Sequence, residues 1–132
     1  MNTSDPNDNL KQNYSNKLKR IDLSYLKDFA NGDNAFIVEM IDAFASQTPE
    51  ELNLISSALE NKNWKTVRAV AHKMKPSITF MGISELKEVV VLILEYSSKE
   101  ISLELIPELV NKFKTICNEA IKELEIEKKL YL

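Results

Sequence analysis

Four successive stretches of this chain place apolar residues three and four positions apart, and only two glycines interrupt 132 residues. That spacing draws a single stripe down one face of a helix, which must be buried against other helices. In "NAFIVEMIDAFASQ" the stripe is Phe36, Ile37, Met40, Ile41 and Phe44, and Leu52, Ile55, Ala58 and Leu59 carry it on to "ENKN" at 60–63. A second run holds Val67, Val70, Ala71, Met74, Ile78 and Met81, and a third holds Leu86, Val89, Val90, Ile93 and Leu94. The last, from about 102 to 126, carries Leu105, Leu109, Val110, Phe113, Ile116, Cys117, Ala120, Ile121 and Leu124. No strand-like alternation of useful length competes with these runs. Long amphipathic helices with short connections predict an all-α, antiparallel four-helix bundle.

The punctuation between the runs agrees. A short additional N-terminal helix opens at Asp22 or Leu23 in "IDLSYLKDFA" and ends near "NGD" at 31–33. Asp33 is placed to cap the helix that follows. Thr48-Pro49 has two readings: a T-x-x-E capping box with Glu51 starts a new helix there, or one helix covers 33–60 with a kink. Gly82 stops the next helix, and Ser84 or its neighbour caps the one after it. Residues 1–20, rich in Asn, Ser, Asp and Lys, read as a disordered arm. The bundle then spans 21–127, and 128–132 reads as the frayed end of the tail "EIEKKLYL".

Composition removes several classes of function. A net charge of −3 argues against a surface built for nucleic acid. One cysteine and one histidine leave neither an internal disulfide nor an ordinary zinc site. The polar N-terminus is no signal peptide, and "VVVLIL" at 89–94 is too short to cross a membrane, so the expected setting is cytoplasmic, with no membrane partner. With two glycines in all, no phosphate-cradling nucleotide loop fits.

The single histidine, His72, lies in "AVAHKMKPSITFMG". At about 100° per residue it projects away from the apolar stripe, together with Lys65, Ala69 and Pro76, flanked by Arg68, Lys75 and Thr79. From Asn61 to Ser84 there is no acidic residue, while five of the 17 basic residues fall there (Lys62, Lys65, Arg68, Lys73 and Lys75), leaving 12 basic against 20 acidic elsewhere. The neighbours Ala69 and Pro76 are compact, so another surface can approach the ring. Pro76 also lacks the N–H that would bond the carbonyl of residue 72, which predicts a kink or an opened turn at the histidine. An imidazole near neutral pH is largely uncharged and nucleophilic, and ammonium neighbours favour a dianionic group attached to it. That fits a phosphoryl carrier better than a hydrolase base, because no second catalytic group converges on His72.

These residues resemble a histidine-containing phosphotransfer (HPt) domain of bacterial multistep phosphorelays. The resemblance runs from residue 22 to about 98. It is carried by Ala71-His72-Lys73-Met74-Lys75-Pro76-Ser77, then Gly82 and Leu86, and by the approach "DAFASQTPEELNLISSALENKNWKTVRAVAH". It implies that His72 accepts a phosphoryl group on a ring nitrogen, that Lys75 stands by the phosphoryl oxygens, and that Lys73 adds charge nearby. Pro76 stands where the family commonly has glycine. The family's Glu or Gln that bonds the imidazole from the next helix has its nearest equivalent in Glu95, about one residue away, either in that role or as a surface charge.

What the resemblance implies about function is a phosphorelay intermediate in a two-component regulatory system, a phosphoprotein without ATP-dependent kinase activity of its own. Its partners are then response-regulator receiver domains and a hybrid sensor histidine kinase. No cofactor belongs to the chain, since the receiver supplies Mg²⁺. Docking falls on Arg68, Ala69, Pro76, Thr79 and Gly82, and on whichever of the apolar residues Leu26, Phe29, Ile37 and Ile41 of the first two helices are exposed and not core, a division that periodicity leaves open. A bundle of this size needs no partner to fold, so a monomer is the expected state, although the sequence does not give the oligomeric state. The rival reading is a helical adaptor that binds a partner protein through its basic helix without phosphoryl chemistry.

Overall fold

The computed structural model describes residues 19–132. The disordered arm expected at 1–20 falls outside the described residues except for Lys19 and Arg20. Among the described residues there are five α-helices and no strand: α1 (Ser24–Ala30), α2 (Asn34–Glu60), α3 (Trp64–Phe80), α4 (Glu85–Lys99) and α5 (Ile106–Lys128). The four long helices form the antiparallel bundle, with α3 packed between α2 and α4, and α5 closing the ring against α2 and α4. The short α1 lies against α2.

Local chemistry sets the ends. Asp33 takes extended backbone and its carboxylate accepts the Phe36 N–H at 3.0 Å, which opens α2. At the start of α3 the Asn63 side-chain amide oxygen accepts the Thr66 N–H at 3.2 Å. Ser84 precedes α4 but makes no side-chain cap bond; Glu85 and Glu88 in the first turn complement the helix dipole instead. The choice at Thr48-Pro49 resolves to a single helix with Pro49 inside it. Thr48 is buried and Glu51 reaches across to α3, so no capping box forms there.

The stripes read from spacing become the core. Ile37, Ile41, Phe44, Leu52, Ile55 and Ala58 of α2 meet Val67, Val70, Ala71, Met74 and Ile78 of α3 in one buried cluster with α4 and α5. Two corrections come at the C-terminal helix. Its first turn is a separate 3-10 turn, Leu103–Leu105, so Leu105 is exposed and Ile106 takes the core position. The frayed tail expected at 128–132 is docked. Lys128 pairs with Asp42 of α2 at 2.9 Å, Lys129–Tyr131 forms a further 3-10 turn, and Tyr131 packs on the core with Lys27 over its ring.

Cys117 is fully buried on α5, and burial alone pushes its thiol up to about 12. A thiol must ionise to react, so the native protein is expected not to react with a disulfide reagent at pH 8, and to react fully in denaturant. Rapid labelling of the native state would show that the core opens at α5.

Candidate functional site

The histidine helix, α3, runs without interruption from Trp64 through Pro76 to Phe80. The opened turn expected at His72 is not seen as a break in the helix. Val67, Val70, Ala71, Met74 and Ile78 anchor its inner face. The same rotation places His72 in solvent, with Arg68, Ala69, Lys75, Pro76 and Thr79 exposed around it. Thr79 turns its hydroxyl back to donate to the Lys75 carbonyl at 3.1 Å. The imidazole thus stands exposed on the flank of a continuous helix, between the compact residues Ala69 and Pro76.

The cations around the ring are not equivalent. Lys73 points toward α2, where its ammonium meets Glu51 Oε1 at 2.8 Å. The hydrogen bond to Glu51, then the charge of that carboxylate, raises the Lys73 pKa. Lys73 was expected to add charge beside His72; its ammonium is held by Glu51, because successive helical residues diverge by about 100° and this turns Lys73 toward α2. Lys75 and Arg68 fall three residues after and four before His72, the spacings at which helical side chains adjoin. Among the described residues neither Arg68 nor Lys75 forms an ion pair within 4 Å, whereas Lys73 and Lys99 each hold a carboxylate.

Between α3 and α4 an open groove of about 410 Å³ is lined by Arg68, His72, Val91, Leu94, Glu95, Ser98 and Lys99. Glu95 therefore shares the space beside the ring, but its carboxylate accepts from Lys99 at 3.2 Å, and among the described residues no side chain is hydrogen-bonded to the imidazole. The sequence reading missed this groove, since Val91 breaks the inner stripe of α4 and stands half exposed.

The expected docking residues divide. Ile37 and Ile41 are core, 3% and 0% exposed, and Leu26 is equally buried; all three face inward because they continue the stripes that hold α1 and α2 to the bundle. Phe29 is 60% exposed. It belongs to an aromatic cluster unforeseen from spacing, with ring centroids 5.8 Å from Phe36 and 5.4 Å from Phe80, while Tyr25 lies 5.2 Å from Phe80. Gly82 is partly buried: the chain's own Asp22 backbone lies where a Cβ would stand, and the Asp22 N–H donates to the Met81 carbonyl at 3.2 Å.

The family model of the Hpt domain matches residues 39–125, from the first turns of α2 into the end of α5 and including the whole histidine helix. This chain belongs to the Hpt domain family. That family comprises phosphotransfer carriers rather than kinases, and within this Hpt domain His72 is the single histidine. Among solved structures the chain is similar to histidine-containing phosphotransfer protein B (HptB) from Pseudomonas aeruginosa PAO1. That match has 19% identity and a TM-score of 0.76, covering 87% of this chain and 99% of HptB, so the likeness is one of fold. No curated protein sequence matches the chain. Among the described residues no helix is long and apolar enough to cross a membrane.

Proposed function

We propose that the protein is a phosphorelay intermediate that carries a phosphoryl group on His72 between two receiver domains. The observation that supports this most is the exposed lone imidazole on a continuous helix flank, within the part of the chain matched to the Hpt domain. A ring nitrogen of His72 attacks the phosphorus of an aspartyl phosphate on the donor receiver. The N–P bond forms as the P–O bond to the aspartate breaks, and the carboxylate leaves with that electron pair. The second receiver's aspartate reverses these steps. The receivers bring Mg²⁺ and the acidic pocket that binds it; His72 brings the nucleophile, and Lys75 offsets phosphoryl charge. The donor receiver belongs to a hybrid sensor histidine kinase, and the exchange takes place in the cytoplasm with this protein as a monomer.

The test is direct. Incubated with a radiolabelled phospho-receiver, the protein is expected to take up label that is acid-labile, stable in alkali and located at His72 by peptide mapping. With ATP alone it stays unlabelled. Label on another residue, or none from any of a panel of receivers, would refute the carrier reading.

Docking of the receiver draws on the aromatic cluster. Phe80 lies eight residues beyond His72 on the same helix, roughly 12 Å along its axis. A domain seated over the ring and reaching that far along the helix would meet Tyr25 and Phe29, whose rings lie 5.2 and 5.4 Å from that of Phe80. Exposed aromatic side chains gathered in one patch mark an interaction surface. Phe29→Asp is expected to raise the KM for phospho-receiver about tenfold while phosphoramidate still labels His72 at the native rate. An unchanged KM would move the docking surface elsewhere.

A further inference from the structure

We infer that Arg68 is a second phosphoryl ligand, acting with Lys75 to bracket the group carried on His72. This rests on the carrier reading and goes beyond it, because Arg68 is otherwise simply an exposed residue at the edge of a docking face. Three features of α3 converge on it. First, around the helix axis Arg68 and Lys75 lie about 40° and 60° from His72, both rotated to the side of α4, whereas Lys73 lies about 100° to the opposite side. Second, along the axis Arg68 is roughly 6 Å before the ring and Lys75 about 4.5 Å after it, so the two cations stand on either side of one turn. Third, the groove between α3 and α4 contains both the imidazole and Arg68.

Charge pairing singles out the same two residues. Glu51 holds Lys73, and Glu95 holds Lys99 within the groove itself. Lys65 shares the His72 face but stands about two turns away, near 10 Å along the axis. Arg68 is thus the groove cation left without a carboxylate among the described residues, and it carries the planar donor fork that suits phosphate oxygens. A dianionic phosphoryl group on the ring lowers the cost of bringing Arg68 and Lys75 close together. Charge-assisted hydrogen bonds from Arg68 and Lys75 to those oxygens stabilise the phosphorylated state relative to the free imidazole.

The experiment loads His72 without any receiver. With phosphoramidate the imidazole nitrogen forms its N–P bond as the reagent's own N–P bond breaks and ammonia leaves. In the full chain, the Arg68 Nε–H resonance is expected to move on loading. The phosphohistidine of Arg68→Gln should hydrolyse about fivefold faster than wild type, as expected for loss of one charge-assisted contact at an exposed site. Arg68→Lys should be intermediate, restoring charge but not the fork, and added salt should narrow the difference. An unmoved Arg68 resonance with equal lifetimes would overturn the assignment. Failure of the carrier reading has a separate signature: phosphoramidate still labels His72 and Arg68 still responds, yet no receiver transfers its phosphoryl group.

Discussion

His72→Gln is expected to abolish phosphoryl transfer from any receiver while leaving the melting temperature within about 2 °C of wild type. The two halves of this result have different causes. Transfer needs a ring nitrogen with a free lone pair, and this chain has one histidine to supply it. Glutamine has similar reach and polarity but no nucleophilic nitrogen, since its amide lone pair is delocalised. Stability is insensitive because the imidazole is exposed and, among the described residues, makes no side-chain hydrogen bond. Surface substitutions of that kind usually lie within about 0.5 kcal/mol of neutral. Radiolabel transfer and thermal melting on the same preparation separate the effects. Retained labelling would place the acceptor elsewhere. Retained partner binding by the variant with no transfer in wild type would favour the adaptor reading, for which the ring has no chemical task.

Much of this architecture was legible from apolar spacing, because burial leaves a regular imprint on a helix. All six residues assigned to the apolar stripe of the histidine run, five in α3 from Val67 to Ile78 and Met81 just beyond its end, are buried, and the position of His72 follows by rotation from that stripe. What spacing could not supply was anything that depends on two helices meeting. Glu51 and Lys73 are 22 positions apart and pair only because α2 and α3 lie side by side. Ile37 and Ile41 could be read as docking residues because an apolar side chain has the same identity whether covered or exposed; the bundle covers them. The aromatic cluster failed to register for a related reason. Tyr25, Phe29, Phe36 and Phe80 come from three helices, and no one helix displays them as a stripe. The tail misled through composition, since "EIEKKLYL" is charged enough to suggest fraying, yet Lys128 finds Asp42 and Tyr131 finds the core.

The two glycines offer a comparison in which one geometric difference decides the outcome. Both adopt positive φ, +89° at Gly32 and +64° at Gly82, where an L side chain costs about 1 kcal/mol. A Cβ at Gly32 meets nothing within 4 Å, so Gly32→Ala is expected to lose only that backbone term, about 1 kcal/mol. A Cβ at Gly82 would fall against the Asp22 carbonyl oxygen, with the Asp22 carbon and nitrogen at 2.7 and 2.8 Å. Backbone cannot rotate aside as a side chain can. Relief requires the Asp22 segment to lift, which costs its N–H bond to Met81 and disturbs Ile21 and Leu23, both buried in the core. That segment is also clamped from the other side, where Arg20 bonds Glu85 and Glu119 at 2.6 to 2.8 Å and its N–H reaches Glu123. Gly82→Ala is therefore expected to lose about 3 kcal/mol, against the 5–15 kcal/mol typical of a domain, and to melt roughly 10 °C lower. Urea unfolding of both variants is the measurement. Equal losses at the two positions would mean that Asp22 does not pack over Gly82 in solution. Because α3 itself is untouched, the Gly82 variant should still accept label on His72 well below its melting temperature, which separates a role in holding the chain entry from one in docking a partner.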